Sequence, residues 1–197
     1  MRSPLFWLAL TAASLQAGSV LAQSPPTVTT PAPAPTVTAP AVIPGAPVAP
    51  LTETDSQFVT LQVANNRAEF EAAQLALQHS QNQEVRNFAS KLITDHTYAE
   101  NQLAPILEMH HMQVQPALTQ AQLQEMSRLS QLQGPAFDHA YVNAMVQEHQ
   151  STIDEFNAEL VHGLDQHVSA WLQNTRPMLL QHLQIAQQLL ATLPNPG

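Results

Sequence analysis

Apolar side chains recur every three or four residues along residues 84–103, the most regular stretch of the chain. At about 100° per residue, this spacing places them on one stripe of an α-helix. The stripe consists of Val85, Phe88, Ala89, Leu92, Ala99 and Leu103. His96 falls inside the stripe and Asp95 lies at its edge. The pattern therefore predicts a helix that faces a core and carries a histidine into it.

The same period predicts five helices after the first 52 residues, and no segment alternates with the two-residue period of a strand. The predicted bounds are 55–79, 83–112, 119–132, 136–162 and 165–193. Pro105 and Pro177 fall inside the second and last helices, where proline removes a hydrogen bond and is expected to kink the helix. Gly134 and Pro135 are expected to end the third helix.

These elements predict an all-α domain over residues 53–193. Four of the helices are long and form two hairpins, and the short third helix crosses from one hairpin to the other. Two hairpins with one long connection form a ferritin-like four-helix bundle, in which the second and fourth helices run parallel. A simple up-down bundle is the alternative.

The first 52 residues have a different character. Residues 1–22 resemble a signal peptide, with Arg2, a short apolar segment and a small-residue cleavage site at 20–22. Residues 23–52 contain no charged residue and nine of the sixteen prolines. Such a Pro/Ala/Thr-rich segment favours extended polyproline II and is predicted to be a disordered linker. The sequence thus predicts an exported protein, in the periplasm, whose apolar segment is too short for an integral membrane span.

Composition narrows the possible functions. The chain has 15 acidic residues against six Lys and Arg, nine His and no Cys. The acidic balance argues against binding nucleic acid or anionic lipid. No Gly-x-Ser-x-Gly nucleophile turn and no glycine-rich phosphate loop occurs in the sequence, so a hydrolase or nucleotide enzyme has no support. The sequence therefore favours a non-enzymatic function over an enzymatic one.

Each of the four long helices places one potential metal ligand near the centre of its apolar stripe, and in the ferritin-like topology the four lie within roughly 5 Å of one level. These residues are Glu69, His96, His149 and His182. Imidazole and carboxylate groups suit a single ion of Fe, Cu, Zn or Mn. Three neighbouring polar residues are expected to orient the ligands as a second layer, namely Asn65, Asp95 and Glu148.

Other interpretations compete with this metal site. Core-facing His and Glu can satisfy each other without metal, and this gives the alternative function, an envelope interaction module that reaches a partner through the linker or associates with itself. Glu-x-x-His occurs at 108–111 and 159–162, but both copies point off the apolar stripes. A dinuclear oxidase needs about four carboxylates, and only Glu69 is suitably placed. A methionine- and histidine-rich copper strip near residues 109–112 is a further, weaker alternative.

Several motifs resemble a bacterial exported family known as domain of unknown function 4142, which is regarded as ferritin-like. They are Asn66-x-x-Glu69, Val85-x-x-Phe88-Ala89 leading to Asp95-His96, Phe137-Asp138-x-x-Tyr141-Val142 leading to His149, and Pro177-x-x-x-x-His182-Leu183. The resemblance spans residues 54–193 and implies a Glu and three His at the four positions named above. Glu148 and Trp171 depart mildly from the family, where Asp and Phe are common. The family implies no activity.

Overall fold

The computed structural model describes residues 49–194, and within this range the chain forms five α-helices and no strand. The helices are α1 (Glu53–His79), α2 (Gln83–Met109), α3 (Gln120–Ser130), α4 (Gly134–His162) and α5 (Gln166–Thr192). The all-α prediction is confirmed. The predicted signal peptide and most of the predicted linker lie outside the described residues. Between residues 49 and 194, no helix combines the length and apolar character needed to cross a membrane.

Side chains that accept backbone N–H bonds fix where the helices begin. Thr52 Oγ1 accepts from the Asp55 amide at 3.1 Å, so α1 starts two residues earlier than the sequence predicted. Asn82 caps α2, and Thr119 forms a capping box with Gln122 at α3. The prediction that Gly134 and Pro135 end α3 was wrong. They begin α4 instead, because proline fits the first turn of a helix, where its missing N–H is not needed.

Contacts between helix ends define the topology. His79 ends α1 and its ring packs on Phe137, at the start of α4, so these two helices are antiparallel. His110 follows α2 and contacts Asp165, which caps α5, so α2 and α5 are also antiparallel. It follows that α2 and α4 begin at the same end and run parallel, and the connection between them carries α3. This arrangement excludes the simple up-down alternative.

The core consists of two apolar clusters, one toward each end of the bundle. The first surrounds Phe88, Leu92 and Phe137, and the second surrounds Phe58 and Leu172. A layer of buried polar residues lies between the two clusters. Both internal prolines lie within continuous helices, since α2 runs past position 105 and α5 past position 177. The two clusters hold the four long helices in place around the polar layer.

A hydrogen bond from Trp171 connects α5 to α2 close to the polar layer. Its indole Nε1–H donates to the Ala99 carbonyl at 3.0 Å in a buried environment. Replacing Trp171 with Phe removes the donor and part of a buried ring, so we expect the free energy of unfolding to fall by at least about 1 kcal/mol in urea denaturation. Tyr98→Phe is the control, because the Tyr98 side chain is exposed. Equal stability of the Trp171→Phe variant and the wild type would show that the bond contributes nothing.

Candidate metal centre

The buried polar layer contains one residue from each long helix. Glu69 comes from α1, His96 from α2, His149 from α4 and His182 from α5, and none is more than 4% exposed. These are the four residues that the sequence placed at the centres of the apolar stripes. Burying a carboxylate and three imidazoles is costly unless each polar atom finds a partner. The partners of these atoms therefore indicate what the layer can hold.

The four side chains converge through their inner atoms. Glu69 Oε2 lies 2.7 Å from His96 Nε2 and 3.4 Å from His149 Nε2. His149 Nε2 in turn lies 3.2 Å from His182 Nδ1. One ring nitrogen from each histidine belongs to a set whose members all lie within 4.8 Å of one another. This set does not include Glu69, so a single ion could contact the three imidazoles, with Glu69 Oε2 beside two of them.

The outer ring nitrogens of His149 and His182 face groups that can only accept a hydrogen bond. His149 Nδ1 lies 2.9 Å from the Met145 carbonyl oxygen, so Nδ1 carries the hydrogen and donates it. His182 Nε2 lies 2.7 Å from Asp95 Oδ2, and here Nε2 carries the hydrogen. In the neutral tautomers that these partners select, His149 Nε2 and His182 Nδ1 have lone pairs and point inward.

His96 is fixed in the same way by Asn66. The Asn66 amide Nδ2–H donates to the His96 backbone carbonyl at 3.2 Å, which leaves Asn66 Oδ1 as the acceptor for His96 Nδ1–H at 2.7 Å. His96 Nε2 is then the unprotonated nitrogen, and it faces Glu69. Neither Glu69 Oε2 nor His96 Nε2 has a hydrogen-bond partner within residues 49–194, although the two atoms are close.

Four inward lone pairs with no proton between them repel one another, and a cation at their centre relieves this repulsion. The pKa directions agree with this state at neutral pH. Burial lowers the pKa of His149, and it lowers the pKa of His182 to about 4 even though Asp95 opposes the change. Burial raises the pKa of Glu69, but the positive charge that His149 and His96 carry when they are protonated outweighs it and brings the pKa to about 2. Neutral imidazoles and an ionised carboxylate are the forms that bind metals.

The three residues predicted to orient the ligands differ in what their side chains contact. Asp95 contacts His182 and also accepts from Lys91 Nζ at 2.7 Å. Asn65 Oδ1 instead accepts from Gln122 on α3, and its neighbour Asn66 contacts His96. One residue is a 100° step around a helix, and the apolar stripe alone did not distinguish the two asparagines. The spacing Asn66-x-x-Glu69, which places both residues on one face, was the signal for Asn66.

Glu148 lies in a different position from the one predicted. It is exposed and lines a cavity of about 100 Å³ between α1, α3 and α4. Glu69 forms part of the wall of the same cavity, and Glu125 of α3 borders it as well. The cavity therefore leads from an acidic surface to the only carboxylate of the buried layer.

The two Glu-x-x-His motifs take no part in the layer. His111 and His162 are both exposed, in agreement with the helix geometry that set these motifs aside. Pro177, which was expected to kink its helix five residues before His182, lies within the continuous helix α5.

Asp95 gives a direct test of ligand orientation. Asp95→Asn keeps a similar shape but removes the charge that holds His182 Nε2–H, and we expect metal affinity to fall about 10- to 100-fold. Competition with a chromogenic chelator measures this affinity. Asp154→Asn is the matched control, because Asp154 is exposed on α4 and accepts only from Gln150. Equal affinities of the two variants would contradict a role for Asp95.

Comparison with known proteins adds fold and family. Two solved structures are similar, a DUF305 fragment from Deinococcus radiodurans and a DUF305 protein from Streptomyces coelicolor, a predicted secreted protein. The first has a TM-score of 0.66 and 16% identity and covers 74% of this chain and 100% of its own. The second has a TM-score of 0.59 and 16% identity, and the match covers 70% of this chain and 90% of the second structure's chain. At this identity the likeness shows the fold alone.

No curated protein matches the sequence. The profile of the family described as "Domain of unknown function (DUF4142)" matches residues 41–189, which is well over half of the 197 residues. The matched segment includes all four residues of the buried polar layer, and the family resemblance inferred from the sequence is confirmed. The chain belongs to the DUF4142 family.

Proposed function

We propose that this protein is an exported, ferritin-like four-helix bundle that binds one transition-metal ion through Glu69, His96, His149 and His182, for sequestration or protection against metal stress. The observation that carries the proposal is the hydrogen bonding of the three imidazoles. In each neutral ring, the outer nitrogen donates its N–H to a partner, and the inner nitrogen keeps a lone pair that can bind a metal ion.

The ligand set narrows the chemistry of the metal. Three imidazoles and one carboxylate suit Fe, Cu, Zn or Mn, and no thiolate is available because the chain has no cysteine. A dinuclear oxidase-type centre would require more carboxylates around the layer than Glu69 supplies. A mononuclear centre between two apolar clusters, shielded from bulk water, fits storage better than turnover.

The proposed location follows from the sequence before the bundle. We infer that residues 1–22 direct export and that residues 23–52 hold the bundle away from its point of attachment or from a partner in the periplasm.

Metal analysis of the untagged full-length protein tests the proposal. We expect about one equivalent more of Fe, Cu, Zn or Mn in the wild type than in the His96→Ala/His149→Ala variant. His139→Ala/His162→Ala is the matched control, since it removes two histidines that lie outside the layer. Equal metal contents in the wild type and the His96→Ala/His149→Ala variant would overturn the proposal.

The 2.7 Å contact between Glu69 Oε2 and His96 Nε2 favours a second candidate function. This distance also suits a charge-assisted hydrogen bond from an imidazolium to a carboxylate, which would satisfy the layer without metal. In that case the bundle would be an envelope interaction module. A pull-down from envelope extracts should then recover the same partner with the full chain and lose it when residues 23–52 are deleted.

A further inference from the structure

A second group of potential metal ligands lies at the end of the bundle where α2 finishes and α5 begins. His110 directly follows α2, Asp165 caps α5, and His167 lies in the first turn of α5. Their nearest ligand atoms all lie within 4.8 Å of one another. The sequence did not single out this group, because 55 residues separate His110 from Asp165.

The distances in this group match metal coordination better than hydrogen bonding. Asp165 Oδ1 lies 3.4 Å from His110 Nε2 and 3.4 Å from His167 Nδ1. An N–H donor to a carboxylate oxygen normally lies about 2.7–3.2 Å away. Two ligand atoms each about 2.1 Å from a tetrahedral metal ion lie about 3.4 Å apart. The spacing therefore leaves room for an ion between the atoms.

The burial of His110 and the absence of hydrogen-bond partners for the facing ring nitrogens give independent support for an ion at this place. The His110 side chain is completely buried. Its Nδ1 donates to the Ala49 carbonyl at 2.9 Å, so Nε2 is the lone-pair nitrogen in the neutral ring and points at Asp165. Within residues 49–194, neither His110 Nε2 nor His167 Nδ1 has a hydrogen-bond partner, and both atoms are buried. A buried lone pair and a carboxylate that face each other at 3.4 Å repel one another, and a metal ion between them would relieve this repulsion.

The start of α5 holds the carboxylate in place through Oδ1, the same oxygen that faces both imidazoles, so an ion would share Oδ1 with this cap or use Oδ2. The backbone amides of His167 and Val168 donate to Asp165 Oδ1 at 2.8 and 3.3 Å. The Asp165 and His167 side chains keep 22% and 17% of their surface exposed, so one side of the group is open to solvent. An ion could enter from that side and retain water as a further ligand.

The geometry points to a second metal site, in which His110 Nε2, Asp165 and His167 Nδ1 bind a divalent transition-metal ion such as Zn²⁺ or Co²⁺. The ion joins the segment before α1, through the His110–Ala49 bond, to the end of α2 and the start of α5. It therefore holds these three segments together at the end of the bundle where the predicted linker meets α1. This site is independent of the buried layer, with which it shares no residue.

Titration of the full chain with Co²⁺, followed by its visible absorption, tests the second site. The His96→Ala/His149→Ala variant removes the buried centre, and in this background we expect one Co²⁺ per chain. Adding His167→Ala should weaken that binding at least 10-fold, whereas adding His162→Ala, an exposed histidine at the end of α4, should leave it unchanged. Adding Asp165→Asn, which retains a capping side chain, should weaken it to a similar extent.

The same variants in the wild-type background separate this proposal from the first. His167→Ala alone should lose one equivalent of Co²⁺ and keep the equivalent that depends on His149, with an unchanged far-UV circular dichroism spectrum. The second site is overturned if His167→Ala and Asp165→Asn bind Co²⁺ as tightly as their parent protein, or if the His96→Ala/His149→Ala variant is folded and binds none. If only the proposal of a buried centre is wrong, the wild type should bind one equivalent of Co²⁺, and this binding should depend on His167.

Discussion

The His149→Ala variant is expected to have a melting temperature that no longer responds to a chelator of the buried ion. His149 is completely buried and contacts both Glu69 and His182, so its loss removes a central ligand. An ion present at about 100 times its dissociation constant stabilises the folded state by about 2.7 kcal/mol. For a domain of this size, that corresponds to a melting temperature about 10 °C higher. Calorimetry with and without chelator measures the difference.

This experiment is best done with His110→Ala present in every protein, so that the second proposed site does not contribute. His139→Ala is the matched control, because His139 lies on the same helix, is half-buried and is outside the polar layer. The cavity left by His149→Ala lowers the melting temperature on its own, so the diagnostic quantity is the change caused by chelator. A chelator effect of equal size in the variant and the control would contradict the role of His149, as would the absence of any effect in the control.

Local sequence patterns predicted most of the fold. The three-to-four-residue period identified all five helices. The same period selected the four buried residues of the polar layer, because a residue at the centre of an apolar stripe points into the core wherever the helix packs. The parallel orientation of α2 and α4 followed from the length of the connection that carries α3.

What the sequence could not predict depends on contacts between distant segments. The choice of Asn66 over Asn65 depends on how α1 is rotated against α2, which a stripe defines only to about one residue. The group of His110, Asp165 and His167 forms only when the end of α2 meets the start of α5. His110 also has a neighbour, His111, whose positive φ of 54° turns the chain away from the helix direction. Helical periodicity no longer applies at that point.

The free energy of unfolding of the metal-free protein is expected to fall steeply as the pH drops from 6.5 toward 4. Burial lowers the pKa of His149, and it lowers that of His182 to about 4, from an ordinary value of 6.5. Below pH 6.5 the unfolded chain binds protons at these two residues and the folded chain does not, so acid favours unfolding. Each such histidine contributes up to about 1.4 kcal/mol per pH unit in this range.

Glu69 acts in the same direction at lower pH. Its pKa is about 2 in the folded protein against 4.5 ordinarily, because His149 and His96 outweigh the opposing effect of burial. The stability that Glu69 contributes is therefore present above pH 4.5 and is lost as the pH falls toward 2. The groups that act on His182 from the other helices are two carboxylates, Asp95 and Glu69, which favour its protonation, and two imidazoles, His96 and His149, which oppose it. Loss of stability near pH 5 is thus expected to come mainly from the histidines.

Urea denaturation at pH 7.5, 6.5, 5.5 and 4.5 in the presence of chelator measures this dependence. The His149→Gln/His182→Gln variant, which has no imidazole at either position, should show a slope smaller by up to about 2.7 kcal/mol per pH unit below pH 6.5. His162→Gln, an exposed histidine, should behave as the wild type does. If stability instead stays level or rises as the pH falls from 6.5, the buried histidines accept protons in the folded state and pair with Glu69. That outcome would favour the metal-free layer over the metal centre, because protons would then supply the positive charge that we assign to the ion.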